Sequence, residues 1–247
     1  MEEHENAVKK LVFGPWATVG LGLAVGITYI LVQVLTIIIF VIAEYSSNPQ
    51  LDIQQLLMTL EKNGSILAVA VIASAIVCSG LVFLIVKLRK GAAIAEYLSL
   101  SPVAGKTLLI LAALTAGFII ISDGLHFLLG RPVVPQSQID AYSTCALPAL
   151  LWIAIVITAP FFEEIFVRGF LLEGLRQSRI GNTWAIVLTS FAWSILHVQY
   201  GVFDLVIIFI GGVLLGIARI KTGSIWGCIL IHAMNNLVSM IETAMAL

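Results

Sequence analysis

Seven runs of apolar residues, most of them long enough to cross a bilayer, divide this chain and leave room for one kind of architecture. Their approximate limits are 14–43, 66–86, 107–129, 145–172, 184–199, 203–219 and 224–244. A spanning helix needs roughly 20 apolar residues. The fifth and sixth runs are therefore short, and six to eight spans remain open once tilted or re-entrant pieces are allowed. Hydrophobic residues make up 60% of the 247 positions and charged residues 11%, which excludes a water-soluble globular protein. The expected fold is an all-α polytopic membrane protein, a bundle of about seven transmembrane helices with an intramembrane polar cavity. The first run has no small-residue cleavage pattern and is followed by six more, so it reads as a retained span and not as a signal peptide.

The basic residues give an orientation. With seven spans, Lys9, Lys10, Lys87, Arg89, Lys90, Lys106, Arg176, Arg179, Arg219 and Lys221 share one side, against Lys62 and Arg131 on the other. By the positive-inside rule the first side is the cytoplasm, with Glu2, Glu3 and Glu5 offsetting part of the N-terminal charge. The expectation is an integral protein of a prokaryotic plasma membrane, N-terminus inside and C-terminus outside. A net charge of -1 and the lack of a basic, aromatic-interleaved stripe give no nucleic-acid partner. Cys78, Cys145 and Cys228 have no metal-ligand spacing and read as small apolar packing residues.

Residues 1–10 form a polar tail with the potential for an interfacial helix, and residues 87–106 hold a possible short surface helix. No segment is large enough for a separate soluble core. The chain is read as one transmembrane domain, residues 1–247. Within it, residues 145–247 form the functional core and residues 1–144 surround it, neither folding independently. Asp123 and His126 share a helix face and read mainly as a helix end reaching the outer headgroups, with a second polar site as the alternative.

Within the fourth run, Ala159 to Gly169, stand Glu163, Glu164 and Arg168. A charge at the bilayer centre costs roughly 2.5–3.5 kcal/mol on insertion scales. One ion pair would account for two of the three charges; the surplus carboxylate points to function. Glu164 and Arg168 have the spacing and order of a helical pair, while Glu163 lies about 100° around the helix. The simplest division has Arg168 holding Glu164 and Glu163 facing the cavity, the reverse remaining open. Pro160 predicts a kink just before the glutamates.

His197 and His232 add two imidazoles inside apolar runs, and Asn236 shares a face with His232. At 1.5 Å per residue, Glu164, His197 and His232 lie about 18, 20 and 12 Å from the inner ends of their helices, a similar layer. Two chemistries fit. In one, a divalent metal such as zinc, with candidate ligands Glu163, Glu164, His197 and His232, activates water. In the other no metal is required: Glu163 activates water, while an imidazole and the Asn236 amide stabilise an oxyanion.

The pattern Glu163-Glu164-x-x-x-Arg168, Trp193-x-x-x-His197 and His232-x-x-x-Asn236 resembles the CPBP family, also called the Abi or CAAX prenyl endopeptidase type II-like family. The run Thr222-Gly-Ser-Ile-Trp-Gly-Cys228 also looks like the family's approach to the last motif. The likeness covers about 145–240; the usual phenylalanine of the second motif is Trp193 here, a change expected to affect the cavity wall more than the chemistry. Resemblance implies cleavage of peptide bonds inside the membrane, with Glu163, Glu164, Arg168, His197, His232 and Asn236 as the catalytic set. It favours glutamate-activated water with His197 and Asn236 near the oxyanion, although a metallopeptidase label is also attached to such proteins. The implied partner is a membrane-associated peptide or lipidated protein in the bilayer, reached from the cytoplasmic side. Alternatives are a metal-dependent prenyl protease, a non-catalytic bacteriocin-immunity or peptide-binding protein, and a proton-coupled transporter. The last is weakened by the lack of a recognisable inverted repeat.

Overall fold

A computed structural model describes residues 11–50, 52–60 and 62–247, and the interfacial helix expected over 1–10 lies outside them. Among the described residues there are helices and no strands. They are α1 (Pro15–Ser47), α2 (Ile53–Leu60), α3 (Gly64–Leu88), α4 (Ile94–Tyr97), α5 (Gly105–Leu128) and α6 (Gln136–Thr144), then α7 (Pro148–Arg176), α8 (Gly181–Ile195), α9 (Val202–Thr222) and α10 (Trp226–Met245). Six of them are long and apolar enough to cross a membrane: α1, α3, α5, α7, α9 and α10. The protein is an integral membrane protein with a helical bundle.

The fifth apolar run becomes α8, which has 15 residues. At 1.5 Å per residue it reaches about 22 Å, short of a hydrocarbon core of about 30 Å. It ends at Ile195, and the chain turns through His197 and Tyr200 before α9 begins. Irregular backbone at such a depth is tolerated only where it is buried in protein or lines a wet cavity. His197 is thus placed beside a cavity by the shortness of its own helix.

On either side of Pro160, α7 carries two π-helical stretches, Ile153–Thr158 and Glu164–Leu171. Such widened turns collect at functional sites. In the register of the first, the carbonyl of Ile155 would be matched with the N–H of residue 160, and Pro160 has none. That carbonyl accepts instead from the side-chain amide of Asn236 on α10, at 2.8 Å. The proline therefore ties α7 to α10.

The core lies where α1, α3 and α7 meet. Phe13 packs edge-on against Tyr97 and Phe170, and Tyr29 stacks on Phe162 at 5.1 Å. Cys78, Cys145 and Cys228 are buried free thiols within this packing. Large apolar side chains such as Ile76, Leu109 and Ile120 face outward, which a lipid environment permits.

The 87–106 segment holds the short helix expected of it, α4, exposed at Ala95 and Glu96 and anchored at its end: Tyr97 and Leu98 are buried, and burial raises the Tyr97 phenol. Ser99 holds a left-handed turn with φ 54, its carbonyl accepts from Ile225 N–H at 3.0 Å, and its hydroxyl accepts from Arg219. Arg219 also reaches Glu173 at 2.9 Å, and Arg176 grips the same carboxylate through two N–H groups. This buried network latches the ends of α4, α7 and α9 together.

One expectation is corrected: Asp123 and His126 do more than reach headgroups. The buried His126 donates from Nδ1 to Ser122 O at 2.9 Å, and its Nε2 lies 2.9 Å from Asp204 on α9. Asp123 meets Glu242 on α10. The pair joins α5 to both neighbours. Near it, Gln136 and more weakly Lys62, 3.5 Å away, hold the exposed Asp140 carboxyl below its usual range.

Candidate active site

All six candidate residues lie on α7, on α10 or in the turn after α8. The widened turn starting at Glu164 sets Arg168 beside it, and Arg168 donates to Glu164 Oε1 at 2.9 Å. Both side chains are fully buried. His232 Nδ1 donates to the same oxygen at 2.8 Å. The second guanidinium nitrogen of Arg168 donates to the Gly212 carbonyl on α9 at 3.2 Å. Glu164 is therefore held by a cation and an imidazole from two helices, in a setting where losing either would leave an uncompensated charge.

Glu163 points elsewhere. It is partly exposed and lines a cavity of ≈ 2580 Å³ along with His197, His232, Asn235 and Asn236. One of its oxygens, Oε2, accepts from the indole N–H of Trp193 at 2.6 Å. Trp193 thus touches Glu163 directly, in addition to its place in the cavity wall. Its ring also lies under the Arg168 guanidinium at 4.6 Å and meets both imidazoles edge-on, His197 at 5.0 Å and His232 at 5.4 Å.

His197 Nδ1 donates to the Trp193 carbonyl at 2.9 Å, one of those left open at the end of α8. In both histidines Nδ1 carries the hydrogen, because its partner is a pure acceptor. Neither Nε2 has a partner among the described residues. Each is left for a ligand. Asn236 has one amide N–H engaged by Ile155, with the other unengaged. Asn235 is exposed and makes no hydrogen bond among the described residues.

Three buried polar atoms here have no protein partner among the described residues: Glu164 Oε2, Arg168 Nε and Ser190 Oγ. Each such group costs roughly 1–3 kcal/mol. The candidate metal ligands do not converge. Glu164 Oε1 is taken by Arg168 and His232, and Glu163 Oε2 by Trp193. Among the described residues no three His, Cys, Asp or Glu side chains could hold a metal ion. The donor set, with a guanidinium in its midst, does not fit a metal.

The cavity also receives residues that the motifs do not contain. Tyr29 and Gln33 project from α1, Tyr29 near enough to hydrogen-bond Gln33 and to feel the charge of Glu163. Tyr200 lines it from the turn after His197. Burial raises its phenol, opposed by hydrogen bonds with Gln138 and Gln199 and reinforced by the charges of Glu163 and Asp204. Tyr200 stays a neutral O–H group. Nothing in the sequence marks these residues, since a tyrosine or glutamine in a span is equally suited to an interface or a helix contact.

These groups, a carboxylate with one unengaged oxygen, two imidazoles with unengaged Nε2 atoms and an amide with a spare N–H, belong to residues that line one large cavity. This can bind and polarise water and receive negative charge on a neighbouring oxygen. No curated protein and no solved structure matches the chain. Residues 145–238, which carry every one of these groups, match the family model described as Type II CAAX prenyl endopeptidase Rce1-like. Over that segment the chain is similar to the Rce1-like type II CAAX prenyl endopeptidases, a family of CAAX-type intramembrane proteases.

Proposed function

We propose that this protein hydrolyses a peptide bond in a lipid-anchored or otherwise hydrophobic peptide, using water activated by Glu163 and no metal. The observation that carries the reading is the contrast between the two adjacent carboxylates. Glu164 is sealed under Arg168 and His232, whereas Glu163 faces the cavity with Oε1 unengaged.

In this reading Oε1 takes a proton from water as the water oxygen bonds to the scissile carbonyl carbon. The carbonyl π pair moves onto its oxygen, where the spare N–H of Asn236 donates to it and His197, when doubly protonated, donates from Nε2. Collapse restores the carbonyl and breaks the C–N bond, while the proton on Glu163 passes to the leaving nitrogen. An acid and an amine result, and the carboxylate is regenerated.

Substrate entry fits the shape of the cavity. Helices α1 and α5 both line it, yet they do not pack along one another, so the space is flanked by two lipid-facing helices. An apolar anchor can enter sideways while the peptide backbone meets the polar wall. With α8 taken as a seventh, short crossing, the basic ends of α7 and α9, with Arg176, Arg179 and Lys221, support a cytoplasmic approach with the N-terminus inside and the C-terminus outside.

The test uses the full-length protein in nanodiscs and a fluorogenic farnesylated peptide ending in a Cys-aliphatic-aliphatic-x sequence. Glu163→Gln should lower kcat/KM by about 100- to 10,000-fold. His197→Ala should lower it about 100- to 1,000-fold. Full activity in Glu163→Gln would end the assignment, and activity abolished by a chelator and restored by zinc would move the chemistry to a metal.

A further inference from the structure

We infer that Trp193 is a positioning residue, an indole donor that fixes Glu163 so that only one of its oxygens meets the water; this rests on the proposed role of Glu163 as base. A glutamate side chain has three rotatable bonds and, at a cavity wall, several orientations of similar energy. Most of them would present either oxygen, or neither, to a reacting water. The 2.6 Å bond from Trp193 Nε1 to Oε2 removes that freedom, and charge-assisted bonds of this length are about twice as strong as neutral ones.

The donor is itself immobile. The Arg168 guanidinium lies over the indole at 4.6 Å, both imidazoles press on it edge-on, and a Cβ added at Gly212 would stand 3.1 Å from its Cε3. Trp193 is buried. One residue thus links three parts of the site: its N–H holds Glu163, its ring carries the cation that holds Glu164, and its carbonyl fixes the Nδ1–H tautomer of His197. Only the first of these depends on the indole nitrogen. A phenylalanine would keep a ring beneath Arg168 and leave the backbone carbonyl in place, yet lose the hold on Oε2.

The experiment separates that bond from the residue's bulk. In full-length protein labelled with 15N at its tryptophans, the Trp193 indole resonance is the one missing from Trp193→Phe. It should move upfield in Glu163→Ala, because the carboxylate acceptor is gone. With the farnesylated peptide, Trp193→Phe should lower kcat about 10- to 100-fold with KM within about twofold, the effect of a hydrogen bond to a charged group that matters after substrate binds. Replacing Trp193 by benzothienylalanine, which keeps the fused ring and puts sulfur where the N–H stands, should give the same loss and keeps the test open where the phenylalanine variant fails to fold.

An indole resonance that stays in place in Glu163→Ala, or full kcat in the benzothienylalanine protein, would overturn the inference. So would a loss confined to KM. Full activity in Glu163→Gln is a different outcome: it removes the base assignment, whereas the resonance still reports whether the bond exists.

Discussion

Arg168 is the residue on which the buried charge balance turns. Glu164 is fully buried and relies on Arg168 and His232, so Arg168→Met leaves a carboxylate sealed in protein with only an imidazole. Breaking one half of a buried pair costs about 3–5 kcal/mol, more than removing both halves together. Arg168→Met should therefore be strongly destabilised in a thermal unfolding assay by size-exclusion in detergent, and the double variant Arg168→Met with Glu164→Gln should recover part of the loss. Equal stability of the single and double variants would count against the pairing. Residues of this kind are legible in a sequence, because a charge inside an apolar run demands a reason, and Glu163, Glu164 and Arg168 were found on that ground. The Trp193 donor was hidden for the opposite reason: an aromatic residue in a span suits lipid, core or site alike, and its N–H shows only when a partner is seen. Tyr29, Gln33 and Tyr200 were missed in the same way.

At the level of helices, two departures from regular geometry build the site, and both bear on what mutations will do. The first is the Pro160 gap, which makes Asn236 a helix-to-helix tie as well as a candidate oxyanion donor. Asn236→Ala leaves the Ile155 carbonyl unpaired at a cost of roughly 1–3 kcal/mol, so this variant should lose stability together with activity. Glu163→Gln should lose activity alone. Comparing the two melting curves distinguishes a residue with two roles from one with a single role. The second departure is the close approach of α9 to α7 and α8 at Gly212. A Cβ there would meet Ser190 Cβ at 3.0 Å, the Trp193 ring at 3.1 Å and an Arg168 nitrogen at 3.3 Å. Gly212→Ala should cost about 1–3 kcal/mol of stability by overpacking and reduce kcat, since the atoms displaced are those that hold both glutamates. Gly216 likewise faces Ile186, so these glycines serve internal packing. Pro160 was readable as an interruption, but not which carbonyl it would orphan or which helix would supply the replacement donor, because that depends on the register of two helices distant in sequence.

For the molecule as a whole, the segment 145–238 that matches the family model contains the polar groups but not the walls that make them a site. Helix α7 packs along α3, Phe162 stacks on Tyr29 of α1, Phe170 packs on Phe13, and Ser99 and Leu100 receive N–H bonds from Ile225 and Trp226. The cavity itself is lined on one flank by α1 and α5. These contacts join the two halves of the chain throughout their length, and in a bilayer they consist of close packing and hydrogen bonds, since lipid tails solvate apolar faces as well as a neighbouring helix does. The sequence could divide the chain by where its polar residues stand; it could not reveal that the apolar half supplies Tyr29, Gln33 and the latch through Ser99 to Arg219. Residues 145–247 expressed alone should insert into the membrane, because their runs are apolar enough, yet give no discrete melting transition and no cleavage of the farnesylated peptide. Coexpression with residues 1–144 as a separate chain should restore both, as the contacts that matter are made within the bundle. Affinity capture of one half by a tag on the other, followed by the peptide assay, reads both effects at once: an active 145–247 fragment would show the first half to be dispensable, and a complex that forms without activity would place the fault in the cavity wall and not in assembly.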